Sequence, residues 1–260
     1  MFFVLTNSPA TFQHMMNDIF DDEITQGWLN DYIDDLLMGE DEDTPQARKR
    51  LTDQCLTVLV KLQENELFVK PEKSEFFTTD VSFLGFRLKD GKLAMEEQKV
   101  SGIADWPPPT NVSQVRSFIG FCNYYRRFIK NYADLCKPLN DLLKKTVPFA
   151  WTTDKHDAFE RLKTAFVSQP VLSIPDHTKP FIIEADASLF ATGAVLLQED
   201  SNGEEHPAGY LSNSLNPAER NYQVYDRELY AIIRALREWK SYIQSSSFIT
   251  IIRTITPAHH

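Results

Sequence analysis

Tyr32-Ile33-Asp34-Asp35 sets two adjacent carboxylates between hydrophobic runs, Trp28-Leu29 before them and Leu36-Leu37-Met38 after. Short apolar runs flanking a polar pair form the pattern of a tight hairpin, and acids at its tip have two chemical uses. They can be ordinary turn residues, because Asp tolerates turn backbone and bonds its own main chain. They can also hold a divalent cation, for which hard carboxylate oxygens are fitting ligands. These four residues leave both readings open. Two more acids stand in patterned surroundings far along the chain. Asp186 shares one face of an expected strand with Ile182 and Glu184. Glu228 lies at the edge of an apolar helical stripe and, taken alone, reads as a solvated acid paired with Arg227 or Arg234.

The elements that must position these acids follow from periodicity and punctuation. Ser8-Pro9 reads as a helix start, Ser8 at the N-cap and Pro9 first in the helix, followed by an apolar stripe of Ala10, Phe12, Met15, Met16, Ile19 and Phe20. Thr44-Pro45 repeats the signal, and Leu51, Cys55, Val58, Leu59 and Leu62 mark a helix running to about residue 66. Two helices therefore flank the hairpin. Phe68-Val69 and residues 81–88 read as strands, with Asp90-Gly91 a turn. Trp106-Pro107-Pro108-Pro109 interrupts the chain and suggests a subdomain boundary. Helices are expected over 112–129, 135–144 and 154–167, closed by Pro170. The rhythm then changes to strands over 181–186, 193–198 and 208–212. A long helix from Pro217 carries Tyr222, Tyr225, Leu229, Ile232, Ile233, Leu236 and Ile243, and a last strand covers 248–252.

Composition narrows the class. A chain of 260 residues with 42% hydrophobic residues can bury one large or two ordinary cores. No apolar run of membrane-spanning length is present, and Met1-Phe2-Phe3-Val4-Leu5 lacks the basic region and cleavage site of a secretory signal, so the expected location is cytoplasmic or nuclear. Cys55, Cys122 and Cys136 are too few and too scattered for a disulfide framework or a zinc site. The net charge of −10 opposes phosphate binding as a sum, but its distribution is uneven. Residues 1–50 carry eleven acids against three bases, whereas residues 111–150 carry seven bases against two acids. Arg116, Arg126, Arg127 and Lys130 there alternate with Phe118, Phe121, Tyr124, Tyr125 and Phe128, either a solvated helix face or a nucleic-acid surface over an aromatic core.

Several blocks in fixed order resemble one family. Leu5-Thr6-Asn7-Ser8-Pro9-Ala10-Thr11-Phe12-Gln13 is similar to the block beneath the incoming nucleotide and template in the reverse transcriptase of gypsy-type long-terminal-repeat retrotransposons. Tyr32-Ile33-Asp34-Asp35 resembles that family's catalytic hairpin, and Phe83-Leu84-Gly85-Phe86 the hairpin that grips the primer end. Trp106-Pro107, Arg116-Ser117-Phe118-Ile119-Gly120 and Asn123-Tyr124-Tyr125-Arg126-Arg127-Phe128-Ile129 resemble its thumb and connection. Glu184-Ala185-Asp186-Ala187-Ser188, Gly193-Ala194-Val195-Leu196-Leu197-Gln198 and Tyr225-Asp226-Arg227-Glu228-Leu229 resemble two ribonuclease H blocks.

The resemblance implies an α+β chain: a partial reverse-transcriptase palm over 1–92, a helical thumb and connection over 93–170, and a C-terminally truncated ribonuclease H-like domain over 171–260. It implies RNA-directed DNA polymerase and hybrid-cleaving chemistry with Mg2+ or Mn2+. Asp34, Asp35, Asp186 and Glu228 would be the metal-holding catalytic acids. Gln13, Tyr32, Phe83, Gly85, Arg126, Arg127 and Lys130 would meet an RNA/DNA hybrid or primer–template, and other Pol chains are possible partners. Departures from the pattern are also plain. A third polymerase acid is expected upstream of Leu5, Val4 stands where glycine is common, and the small palm sheet is expected to keep an open edge. Arg253 stands where the ribonuclease H pattern has its third acid, and His259-His260 read as a tail. The codons open to Thr254-Ile255-Thr256-Pro257 permit Asp-His-Ala in another frame, so a frameshift or a gene-model error is the expectation for this end of the chain. The implied state is a Pol product inactive alone. The alternative is a non-catalytic nucleic-acid-binding or assembly protein.

Overall fold

The computed structural model of the chain describes residues 7–40, 42–168 and 170–254, and it divides into two compact units between Phe83 and Leu84. The Leu5-Thr6 part of the first block, Val4, Ile255 and the terminal histidines lie outside the described residues.

The first unit is built around the acid hairpin. Helix α1 covers Ser8–Ile19 with Asn7, not Ser8, at the N-cap, so Pro9 falls one place deeper than the sequence suggests, still in the first turn where its missing N–H costs nothing. A short helix α2, Asp21–Thr25, leads into strands β1, Leu29–Tyr32, and β2, Asp35–Met38. They pair antiparallel from Leu29 opposite Met38 to Tyr32 opposite Asp35, and among the described residues they form a sheet of two strands. Helix α3, Pro45–Glu64, begins where Thr44-Pro45 predicts, the Thr44 side chain accepting a hydrogen bond from the Ala47 amide. Met16, Phe20, Leu29, Val58 and Leu62 form the core beneath the hairpin. Phe68-Val69 is no strand: Phe68 is 95% exposed and, among the described residues, no strand pairs with it. The expected 81–88 strand is broken in two, because Leu84 and Gly85 both take positive φ, 51° and 80°. The first piece, β3, is Asp80–Phe83.

The second unit opens with β4, Phe86–Lys89, and β5, Lys92–Met95, an antiparallel hairpin closed by Asp90 and Gly91 at φ 50° and 70°, as an Asp-Gly turn requires. Helices α4, Glu97–Ala104, and α5, Val112–Tyr124, lie on either side of the prolines. The prolines punctuate the chain without dividing its core, since Ile103 before them and Val115 and Phe118 after them share one cluster. The helix expected over 112–129 ends at Tyr124 and tightens into a 3-10 turn at Arg126–Phe128. Helices α6, Tyr132–Asp141, and α7, Thr153–Val167, complete the group, with Phe118, Phe128, Phe159 and Phe166 fully buried. Strand β6, Leu172–Ser173, adds to β5 and carries Leu172 into the same core.

A second sheet follows: β7, Ile182–Ala187; β8, Ala191–Glu199; β9, Glu205–Ser214; and β10, Ile251–Thr254. Its order is β10-β7-β8-β9, with β10 parallel to β7 and the other pairs antiparallel. The helix expected from Pro217 begins later. A 3-10 turn at Glu219–Asn221 precedes α8, Val224–Glu238, and a short α9, Lys240–Ser245, follows it. The face α8 turns to the sheet is also shifted. Arg227, Ala231 and Ala235, at i, i+4 spacing, are buried, while Tyr225 and Leu229 of the predicted stripe are exposed. The small alanines let the helix lie close on Ile183, Ala185 and Leu196.

Phe118 touches Trp106 and Phe159 at centroid distances of 5.6 and 4.6 Å. Phe118→Ala is expected to destabilise the larger unit by about 3–5 kcal/mol. Urea unfolding of the full chain measures this, and an unmoved midpoint would remove that core from its assigned role.

Candidate functional site

The acid hairpin holds strain at its tip. With Tyr32 opposite Asp35, Ile33 and Asp34 are the two turn residues, and Ile33 takes φ 56°. A β-branched side chain is costly in that region. Gln13 of α1 offsets this from below: its Oε1 accepts the Ile33 amide at 2.6 Å and its Nε2 donates to Asp31 Oδ2 at 2.6 Å. The amide expected to meet nucleic acid is thus engaged inside the protein, where it fixes the turn. Asp34, Asp35 and Tyr32 remain exposed above it.

The Leu84-Gly85 turn is held differently. Tyr124 Oη donates to the Leu84 carbonyl at 2.7 Å and Tyr125 Oη to the Gly85 carbonyl at 3.4 Å. A Cβ on Gly85 would stand 2.5 Å from Tyr125 Oη, so φ and space both demand glycine. Phe86 stacks on Tyr124 and meets Tyr125 edge-on, each at 5.4 Å. Phe83 is half-buried at the end of β3. Arg126 and Lys130 are exposed and Arg127 is half-buried, and among the described residues no carboxylate pairs with any of the three.

In the second sheet, strand alternation turns Ile183 and Ala185 toward α8 and puts Ile182, Glu184 and Asp186 on the other face. Asp186 is exposed and accepts its neighbour Ala187's amide at 2.7 Å. Arg227 Nη1 donates to the Ser188 carbonyl at 3.1 Å, which ties the first turn of α8 to the end of β7. Half-buried Glu228 therefore lies at the same end of the sheet as Asp186. Glu228 has no ion pair among the described residues, because Arg227 bonds Ser188 and Arg234 pairs with Glu219 at 3.1 Å. Sequence reasoning missed a further acid at this end. Asp134 of α6 accepts Ser188 Oγ at 3.3 Å, and burial, together with the charge of Asp186, pushes its carboxyl above the usual range. Nothing in its local sequence marks it.

The parallel register sets Arg253 opposite Glu184, two positions before the level of Asp186, and it pairs with Glu184 at 3.4 Å and Glu205 at 2.8 Å. Among the described residues, the one group of three His, Cys, Asp or Glu side chains able to share a cation is Asp200, Glu204 and His206, at the β8–β9 turn and the start of β9. Its chemistry is that of a turn. Asp200 Oδ1 accepts the amides of Asn202 and Glu204 at 2.8 and 3.0 Å, and Oδ2 faces His206 Nε2 at 3.2 Å. Those backbone amides hold the Asp200 carboxyl down to about 2.

Two family models match in order: "Reverse transcriptase (RNA-dependent DNA polymerase)" over residues 5–88 and "RNase H-like domain found in reverse transcriptase" over residues 151–250. The chain is 34% identical over 242 residues to the transposon Tf2-3 polyprotein of Schizosaccharomyces pombe, covering 93% of this chain and 18% of that protein. It is 36% identical over 261 residues to the retrovirus-related Pol polyprotein from transposon opus of Drosophila melanogaster, covering 96% and 25%. The chain belongs to the Pol polyproteins of long-terminal-repeat retrotransposons. Its α+β fold is shared with the foamy viral protease-reverse transcriptase. A structure of that protein with double-stranded DNA gives a TM-score of 0.77 at 19% identity, over 96% of this chain and 42% of the other. A structure with RNA/DNA hybrid gives 0.76 at 19%, over 100% and 34%. This Pol chain therefore carries a reverse transcriptase domain and a ribonuclease H-like domain, domain types that work with divalent metal ions. Among its described residues no helix is long and apolar enough to cross a membrane.

Two measurements check the geometry. Gln13→Ala removes both bonds beneath the hairpin and is expected to cost about 1–3 kcal/mol, with faster amide exchange at Ile33. Unchanged protection there would show that the strain is held by something else. Asp200 should titrate by carboxyl NMR near 2. Because its folded value is depressed, its stabilisation of the turn is present above its ordinary value near 3.8 and is lost as pH falls toward 2. An Asp200 midpoint near 3.8 would dismiss the backbone bonds as its cause.

Proposed function

We propose that this chain binds an RNA/DNA hybrid or primer–template and contributes two acid pairs to divalent-metal centres, Asp34 with Asp35 for RNA-directed DNA synthesis and Asp186 with Glu228 for cleavage of the RNA strand. The observation that carries the reading is the braced hairpin tip. Strain at Ile33 is held by Gln13 so that both carboxylates project into solvent, an arrangement a mere turn does not need. The exposed oxygen-only donor set suits Mg2+ or Mn2+. Such ions, held by Asp34 with Asp35 and by Asp186 with Glu228, would supply charge stabilisation to the phosphoryl-transfer chemistry. The protein's own work is to hold the acids and the nucleic acid still.

Each centre is expected to take further ligands beside its pair. Residues 1–92 serve as palm, 93–170 as thumb and connection, and 171–260 as the ribonuclease H-like domain. Within this division Tyr32, Phe83 and Gly85 lie toward the primer and template. Arg126, Arg127 and Lys130 supply phosphate contacts that position without reading sequence.

Binding of a labelled RNA/DNA hybrid measured across salt concentrations tests this. Three phosphate contacts predict a slope of log affinity against log salt of about −2 to −3, and Arg126→Gln with Arg127→Gln together should make it shallower by about 2. Hybrid binding that ignores salt, or that is unchanged in the double variant, would remove the nucleic-acid assignment of this surface.

A further inference from the structure

Ser188 stands two residues after Asp186, in the turn joining β7 to β8, and two helices outside that turn, α6 and α8, hold it. Ser188 Oγ accepts the amides of Phe190 and Ala191 at 3.1 and 2.9 Å, and its one proton is shared between Asp134 Oδ1 at 3.3 Å and the Ala191 carbonyl at 3.2 Å. Its carbonyl accepts Arg227 Nη1 from α8. The next aromatic side chain, Phe190, lies under the Lys137 ammonium at 4.9 Å and the Arg220 guanidinium at 5.6 Å. Asp134 and Lys137 are one turn apart on α6, and the start of that helix is fixed to the sheet by the Ala133 amide donating to Ser212 Oγ at 2.9 Å. Arg227 is 7% exposed, and its Nε has no partner among the described residues. Burying a cation for one carbonyl bond is costly, so its position answers to something beyond stability of the helix.

Arg227 and Glu228 are adjacent, and Ser188 and Asp186 are two apart. Drawing Arg227 onto Ser188 therefore sets the separation of the two acids, while α6 prevents the turn from shifting in response. From these contacts we infer that α6 and Arg227 form a clamp on the β7–β8 turn, making Asp134, Lys137 and Arg227 positioning residues for the Asp186–Glu228 pair. The inference rests on the metal-holding reading of that pair. It goes beyond it in assigning part of the ribonuclease H-like centre to a helix that lies before the matched domain over 151–250. Metal sites built from few ligands depend on such outer contacts, whose loss typically costs about 10–100-fold in affinity.

Electron paramagnetic resonance of Mn2+ bound to the full chain tests the clamp, with Asp186→Asn defining the signal that belongs to this centre. Asp134→Ala is expected to weaken that binding about tenfold. Asp134→Asn should restore it to within about twofold, because its amide oxygen still accepts Ser188 Oγ. Phe190→Leu, which removes the ring beneath Lys137, should weaken it too and speed amide exchange at residues 188–191, and this variant carries the test if Asp134→Ala does not fold. Mn2+ affinity and exchange unchanged in Asp134→Ala and Phe190→Leu would overturn the clamp. So would Asp134→Asn behaving as Asp134→Ala, which would make Asp134 a charged ligand. A wild-type chain with no Mn2+ signal removed by Asp186→Asn fails differently: it overturns the metal-holding reading, and the clamp falls with it.

Discussion

Phe118, Phe128, Phe159 and Phe166 leave solvent together, along with Ile103 and Leu172. Burying each ring contributes on the order of 1.5–3 kcal/mol, so the segment from β5 to β6 has one favourable way to fold, around them. The same core sets what its surroundings can do. Tyr125 is buried at its edge, which aims the Tyr124 and Tyr125 hydroxyls at the Leu84-Gly85 turn. Tyr210 of β9 packs against it, and α6 is carried onto β9 through Ala133 and Ser212. Helices α4 to α7 and the sheet of β7 to β10 consequently form one compact unit, although the ribonuclease H-like match begins only at residue 151.

Two of the chain's turns take left-handed backbone at positions the family resemblance associates with substrate, and they are stabilised by different means. Gly85 has no side chain to strain, and Tyr125 fills the space one would need. Ile33 bears a branched side chain at φ 56°, which costs about 1–3 kcal/mol. Packing cannot be the remedy at a tip whose acids stand exposed. The compensation therefore comes from beneath, through a side-chain amide that can accept from Ile33 and donate to Asp31 at once. A glutamate in place of Gln13 would set a second charge against Asp31, and a leucine would leave the Ile33 amide without its acceptor.

The legible part of this molecule was the part governed by local rules. Thr44-Pro45 and Asp90-Gly91 behave as cap and turn because their chemistry is complete within a few residues. The acid hairpin and the strand bearing Asp186 were readable from flanking apolar runs. What failed was decided by distant neighbours. Phe68-Val69 has strand-forming residues and, among the described residues, no strand to join. The α8 stripe was right in part: Ile232, Leu236 and Ile243 pack against the sheet's core, while Tyr225 and Leu229 stay outside and Ala231 and Ala235 give the close approach to the sheet. Ser8 lost the cap to Asn7 by one residue, a distinction backbone geometry makes and sequence does not. Asp134 was invisible for the same reason as the clamp it belongs to: its partner Ser188 lies 54 residues away.

Charge placement on the β7 face carries the argument one step further. Glu184 and Asp186 share that face, and both would bind a cation if only exposure and sign mattered. Arg253 removes the ambiguity by sitting level with Glu184 and pairing with it and with Glu205. Exposed pairs of this kind add little stability, about 0–1 kcal/mol, so their consequence is chiefly electrostatic. With Glu184 neutralised, Asp186 is the acid of that face without a cation partner among the described residues. The arginine that breaks the family pattern in sequence thus acts on a structural neighbour, and it concentrates the uncompensated negative charge at the end of β7 to which Arg227 draws Glu228.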